Sequence, residues 1–419
     1  MRPTLKTSIR ALRHRNYRLF FAGQAVSLIG TWMTRLTSSW LVYRLTNDPA
    51  MLGLVNFASL VPSFLIGAFA GVMVDRAQSL KRIIFITQLA AMVQSVGLVL
   101  TSAIPADPKT TITALLALNI VQGVINAFDL PARQAFLPRM ITDPKDLANG
   151  IALNSSLFNA ARLIGPAIAG ALIAAVGETW CYGLDALSYV GVLWAVYAMR
   201  VNEELVQPKV PQRILASLKE GFRYAWTFEP IRAALILVAS LSLFGLPYTI
   251  LLPIYAREIL GGGPKTLGWL TAAAGCGALV GALRLAGRTS ITGLGRVILF
   301  AGALFAVALV GFAFSTSMPL SIALLFGTGF GMLTQTASCN TVLQTVVDSD
   351  KRGRVMSLFS MAFVGMAPFG GLASGFFARR IGAPATLAGC AAMCALSSVH
   401  FATRLPRVRA AVEERLRAS

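Results

Sequence analysis

Apolar residues in this chain fall in long blocks separated by short charged stretches, for example near 51–74, 83–104, 167–176 and 299–314. Most blocks approach the roughly 20 residues that a helix needs to cross about 30 Å of hydrocarbon. A transmembrane barrel would instead show alternating segments of about ten residues, and that pattern is missing. The spacing predicts helical spans 1 to 12 near 16–45, 51–74, 83–104, 110–129, 147–176, 180–199, 231–259, 266–287, 296–314, 319–345, 355–378 and 383–403. The expected fold class is an all-α membrane protein with about twelve transmembrane helices.

Composition points the same way. Of the 419 residues, 56% are hydrophobic and 13% charged, against about 25% charged in soluble domains. The formal charge of +20 would suit a nucleic-acid binder, but its distribution argues against one. With both termini in the cytoplasm, about 29 of the 37 Lys and Arg fall on the cytoplasmic side, as the positive-inside rule requires. The reading is therefore no nucleic acid, and a multi-pass protein of a bacterial inner (plasma) membrane. The first apolar block runs past signal-peptide length, so no cleavable leader is expected. Five scattered cysteines without metal-ligand companions read as small apolar packing residues.

The chain repeats itself at about half its length. Pro49-Ala-Met-Leu-Gly53 opens span 2 and Pro264-Lys-Thr-Leu-Gly268 opens span 8, while Gly67-Ala-Phe-Ala-Gly71 matches Gly277-Ala-Leu-Val-Gly281. The expected organisation is a basic cytoplasmic N-terminus (1–15), two pseudo-symmetric six-helix bundles (16–200 and 231–404) and a basic tail (405–419). Between the bundles, a cytoplasmic linker (201–230) carries Leu215, Leu218, Phe222 and Trp226 at amphipathic helical spacing. Two such bundles form the architecture of alternating-access transporters.

The segment Gly71-Val-Met-Val-Asp75-Arg76-Ala-Gln-Ser-Leu-Lys81-Arg82 resembles the loop signature of the major facilitator superfamily, with Gln78 where a glycine is usual. Gly30-Thr-Trp-Met33, Trp40-Leu-Val-Tyr43, Ala127-Phe-Asp-Leu-Pro-Ala-Arg-Gln134 and Asn154-Ser-Ser-Leu-Phe-Asn159 narrow the resemblance. They are similar to the branch of enterobactin-type siderophore exporters and macrolide or multidrug efflux proteins. The resemblance implies a conformational latch of Gly71, Asp75, Arg76, Lys81 and Arg82, with Asp129 as the partner of Arg76. The alternative is that these charges only cap helices and fix topology. Gly165, Pro166 and Gly170 resemble a shortened antiporter motif in the fifth helix and are read as a hinge, or else as ordinary packing.

Polar stripes mark the candidate substrate cavity. Span 1 carries Gln24, Ser27, Thr31, Thr34, Arg35 and Ser38 at intervals of three and four. Span 4 carries Asn119, Gln122, Asn126 and Asp129; span 10 carries Thr334, Ser338, Thr341 and Thr345, with Gln335 nearby. The resemblance implies that spans 1, 4, 7 and 10 line the cavity. Interhelical hydrogen bonding is the competing account. An arginine deep in a span is costly unless paired or hydrated, so Arg35 and Arg162 either pair with Asp185 or attract an anionic small-molecule substrate.

Chemistry is otherwise sparse. The only histidines, His14 and His400, are far apart and flank no candidate nucleophile, and no metal-ligand cluster or nucleotide-binding loop is found. Gly327-Thr-Gly329-Phe-Gly331 lies within span 10 and reads as helix packing. The chain is thus expected not to be an enzyme and to need no cofactor beyond a proton gradient. Asp185 is the coupling candidate, with Glu258 second. Partners are expected to be a small-molecule substrate and the lipid bilayer, with the protein a monomer. A lipid flippase of the same fold and a non-transporting sensor are the alternatives.

Overall fold

The computed structural model describes residues 9–201, 214–288, 291, 293–348 and 351–417, which are almost entirely helical. In chain order the helices are α1 (Arg15–Thr46), α2 (Pro49–Asp75), α3 (Leu80–Ala103), α4 (Pro108–Met140), α5 (Leu147–Val176) and α6 (Glu178–Ala198). They continue as α7 (Ile214–Thr227), α8 (Glu229–Ile259), α9 (Pro264–Ala286), α10 (Leu294–Ala313), α11 (Met318–Val346), α12 (Arg352–Ile381) and α13 (Ala383–Arg417). Helices α1–α6 are spans 1–6 of the sequence, and α8–α13 are spans 7–12.

Eleven of these helices are long and apolar enough to cross a membrane. The remaining long one, α1, has 32 residues, about 48 Å at 1.5 Å per residue. It carries the polar stripe together with Arg15, Arg18, Arg35 and Arg44, which lowers its apolarity.

Two helices outrun their expected ends for the same reason. Helix α4 passes residue 129 and Pro131 because Ala132, Phe136, Leu137 and Met140 bury an apolar face in a shared cluster. Helix α13 passes residue 403 because Phe401, Val408 and Val412 continue a buried stripe, while Arg404 holds Glu229 at 2.7 Å. The apolar face, not the membrane edge, sets where these helices stop.

The chain divides into two compact units. The first comprises Met1–Asn47, Ala58–Val210 and Gly263–Gly268; the second comprises Asp48–Phe57, Pro211–Gly262 and Trp269–Ser419. The first unit has a core around Tyr17, Phe20, Ile84, Phe136 and Val196, the second around Ile231, Leu237, Ile298, Leu343 and Phe401. Each unit thus takes the opening turns of one helix whose remainder lies in the other unit. These turns are the repeated Pro-x-x-x-Gly segments.

In the first unit, a Cβ at Gly170 would lie 2.6 Å from the Pro264 carbonyl oxygen, and one at Gly268 would lie 2.8 Å from that of Pro166. In the second unit, a Cβ at Gly375 would lie 2.6 Å from the Pro49 carbonyl, and one at Gly53 would lie 2.7 Å from that of Gly371. The repeat therefore encodes one close helix crossing, made twice.

The N-terminal end of α1 is fastened by buried Asp146 in the short turn before α5. It takes Arg13 Nε at 2.8 Å, His14 Nε2 at 3.1 Å and Arg10 Nε at 3.5 Å. The Lys145 backbone N–H, with help from the Arg13 charge, holds neighbouring Asp143 below the usual carboxylate range. Helix α7 is the expected linker helix, with Phe222 and Trp226 exposed and stacked 5.3 Å apart. The side chains of Leu215 and Leu218 lie outside the described residues.

Helices α8 and α12 contain wide π-type turns at Leu241–Gly245, Tyr255–Ile259 and Met361–Gly365, and the Ser242 hydroxyl donates to the Phe363 carbonyl between two of them. Such turns interrupt the regular ladder and often accompany function.

The glycine crossing yields a prediction. Gly170→Leu should destabilise the protein by about 1–3 kcal/mol, the usual cost of overpacking. Gly67→Ala, at a position with nothing within 4 Å, should leave the unfolding midpoint in detergent nearly unchanged. Equal effects would mean that the crossing is not tight.

Candidate functional site

The candidate site lies on α1 and the helices packed against it in the first unit. Asp185 on α6 is buried, at 1% exposure. Its Oδ2 accepts hydrogen bonds from Thr34 Oγ1 at 2.9 Å and Ser95 Oγ at 2.7 Å. Its Oδ1 makes no hydrogen bond. Only a glycine at position 30 leaves room for this carboxylate, because a Cβ there would lie 2.5 Å from Asp185 Oδ1 and 3.0 Å from its Cα. Asp185 therefore sits inside a membrane helix with hydroxyl donors but no ion pair among the described residues.

Of the two alternatives for Arg35 and Arg162, pairing with Asp185 is therefore not the one found among the described residues. Both guanidinium groups instead lie over the Trp32 ring, 5.1 and 5.8 Å from its centroid. Among the described residues neither forms an ion pair. Arg35 is exposed and Arg162 half-buried. The helix period puts Arg35 roughly 160° around α1 from Met33. Met33 lines an apolar groove of about 520 Å³ with Val26, Ile168, Leu187 and Trp194. The arginine and the groove thus occupy opposite faces.

Thr31 bonds back to the Ser27 carbonyl of its own helix. On α5, Pro166 lies within an unbroken helix and Gly165 packs on Trp32, where a Cβ would be 2.7 Å from Trp32 Cβ. The three hinge candidates therefore sit at helix contacts.

The α4 stripe ends in a second buried network, and here the sequence reading missed a residue. Asp129 was expected to pair with Arg76. It is instead 4% exposed, pairs with Arg133 Nε at 2.6 Å and accepts from Thr87 at 2.8 Å and Gln88 at 2.9 Å. Arg133 also donates to Gln24 on α1. The signal was present, since Asp129 and Arg133 stand four apart on one helix face within the Ala127–Gln134 segment. Asn119 donates to the Leu115 carbonyl and Gln122 to Asn126, all within α4 and half-buried except for Leu115.

Among the described residues, the side chains of Asp75, Arg76 and Arg82 form no ion pair. Asp75, Arg76 and Arg82 are exposed, and Gly71 has nothing within 4 Å of an added Cβ. Lys81 donates to the Tyr197 and Met199 carbonyls at the end of α6, at 3.1 and 2.7 Å.

The span-10 stripe divides. Gln335 and Ser338 on α11 are 2% and 0% exposed, whereas Thr341 is half-buried and bonds to the Ala337 carbonyl. Gln335 lies against Gly302 on α10, where a Cβ would meet its Nε2 at 2.7 Å. These two side chains belong to helix packing rather than to an open wall.

The family model for transmembrane secretion effectors matches residues 6–418. The chain belongs to this family. It is a branch of the major facilitator superfamily, and its fold and relatives are those of transporters, not enzymes. The staphyloferrin A transporter of Staphylococcus aureus is 25% identical over 92% of this chain and 96% of its own length. The multidrug efflux pump Tap of Mycolicibacterium fortuitum is 24% identical, covering 91% and 93%. Macrolide efflux protein A of Streptococcus pyogenes is 24% identical, covering 88% and 92%. In fold, the chain is similar to the nucleoside transporter NupG, with a TM-score of 0.71 at 15% identity over 94% of this chain and 99% of that one.

In this transporter-family chain, Gly30 is the residue on which the geometry of Asp185 depends. Gly30→Ala should lower the unfolding midpoint in wild type by the equivalent of about 1–3 kcal/mol. The same change should cost less in an Asp185→Ala background, a coupling that a double-mutant cycle reads directly. Additive effects would show that the carboxylate does not need the gap.

Proposed function

We propose that the protein is a secondary active exporter working by alternating access, driven by proton antiport. Its solute is a siderophore or an amphipathic drug-like molecule. The carrying observation is Asp185. A carboxylate with no counter-cation, enclosed in a membrane-spanning unit, can change its charge without breaking an ion pair, and intramembrane acids of this kind mark proton relays. The efflux relatives support the direction, and the staphyloferrin A transporter together with the multidrug and macrolide pumps supports the breadth of solute.

On this reading, Thr31, Arg35, Asn119, Gln122, Asn126 and Arg162 contribute to the solute path, while Gln24 braces it from the closed network with Arg133. Asp75, Arg76 and Gly71 form a latch that closes in another state of the cycle. Both termini face the cytoplasm of a bacterial plasma membrane, and the working unit is a monomer. A lipid flippase is the second reading, favoured by the apolar groove beside α1 and α6.

Asp185→Asn should abolish substrate-linked proton movement in proteoliposomes while leaving the amount of folded protein unchanged. Undiminished proton flux would place the coupling group elsewhere. Movement of a fluorescent lipid between leaflets by wild type, without export of dye or siderophore, would select the flippase.

A further inference from the structure

Helices α1 and α5 each contribute one arginine and one aromatic ring to a single cluster. On α1 these are Trp32 and Arg35, three residues apart; on α5 they are Phe158 and Arg162, four apart. Both intervals bring side chains onto one helix face. Phe158 meets Trp32 edge-on at 5.6 Å, and both guanidinium groups lie over the same indole. Gly165, one turn further along α5, lets the two backbones approach at Trp32.

We propose that Trp32, Arg35, Phe158 and Arg162 form an anion-recognition cage for a solute with two neighbouring oxyanion groups. This rests on the transport reading above and names the class of solute that it would carry.

Three features support the cage. First, two cations share one ring with no acid to neutralise them among the described residues. Asp185 is the intramembrane acid expected to serve, and it is held by Thr34 and Ser95. Like charges held close together repel, and an anion between them removes that cost. Second, a guanidinium stacked on an aromatic face keeps its N–H edge free, and that edge matches a carboxylate or catecholate bidentately. Two such edges call for two oxyanion groups. Third, Arg35 is exposed and Phe158 is 46% exposed, on the side of α1 away from the apolar groove, so the cage is reachable. A purely structural pair of arginines would be expected to end on carboxylates or backbone carbonyls, as Arg133 does on Asp129.

The test is equilibrium binding to the purified full-length protein in nanodiscs, which needs no transport. The probes are phthalate (two adjacent carboxylates), benzoate (one) and tetraphenylphosphonium (a cation). Phthalate should bind more tightly than benzoate and weaken as salt rises. Arg35→Gln and Arg162→Gln should each weaken phthalate about tenfold or more, as expected for losing a charge-assisted contact. Arg35→Lys, which keeps the charge but loses the fork, should fall between, and Trp32→Leu should weaken phthalate while sparing any tetraphenylphosphonium binding. Unfolding midpoints of all variants separate lost binding from lost fold.

Phthalate binding that ignores both arginine substitutions in folded protein would overturn the cage, as would equal affinity for phthalate and benzoate. Arginine-dependent binding by a protein that moves no solute would instead retain the cage and remove the transport reading.

Discussion

Hydrocarbon cannot solvate a polar group, so each one inside a span must be met by protein or by water. In the first unit, α1 meets that requirement in three ways on different sides of the helix. At Gly30 and Thr34 it makes room for Asp185 and supplies one of its donors. At Gln24 it accepts from Arg133, whose other partner is Asp129. At Trp32 it gives two arginines an aromatic face instead of a carboxylate. The first two arrangements are closed networks. The third is left open, which makes it the place where a solute has something to contribute.

The same constraint separates the two halves, although they share a repeated pattern. The Pro-x-x-x-Gly crossing is used identically in both. The Gly-x-x-x-Gly pair is not: Gly277 and Gly281 pack on α11, whereas Gly67 and Gly71 face open space. Polar residues on α11 such as Gln335 and Ser338 are buried, and no arginine cluster equivalent to that on α1 and α5 appears on α8 or α11 among the described residues. The second unit instead has π-type turns in α8 and α12, linked through Ser242 and Phe363.

The spans were legible in the sequence because each is a single-helix property, namely length and apolarity. Most ends agree to within a few residues, and α4 and α13 run on because their apolar stripes continue beyond the charged residues taken as the membrane edge. The site was legible only as stripes. Spacing along one helix identifies which residues share a face, so Gln24, Thr31 and Arg35 were found together. It says nothing of the rotation of neighbouring helices, so neither the possible pair of Arg76 with Asp129 nor the alternative pairing of Arg35 or Arg162 with Asp185 is formed among the described residues. Arg133 was recoverable as an i, i+4 partner of Asp129. The π-type turns had no such signal, since no sequence pattern distinguishes them from regular helix.

Transport by wild-type protein in proteoliposomes under an imposed pH gradient tests the central claim most directly. The assay would follow an anionic catecholate and a cationic amphiphilic dye of similar size. Proton-driven export coupled to Asp185, with the arginines as the open contact, predicts that the catecholate moves with the gradient and stops when the gradient is collapsed. Failure of both solutes to move under a maintained gradient would contradict the account.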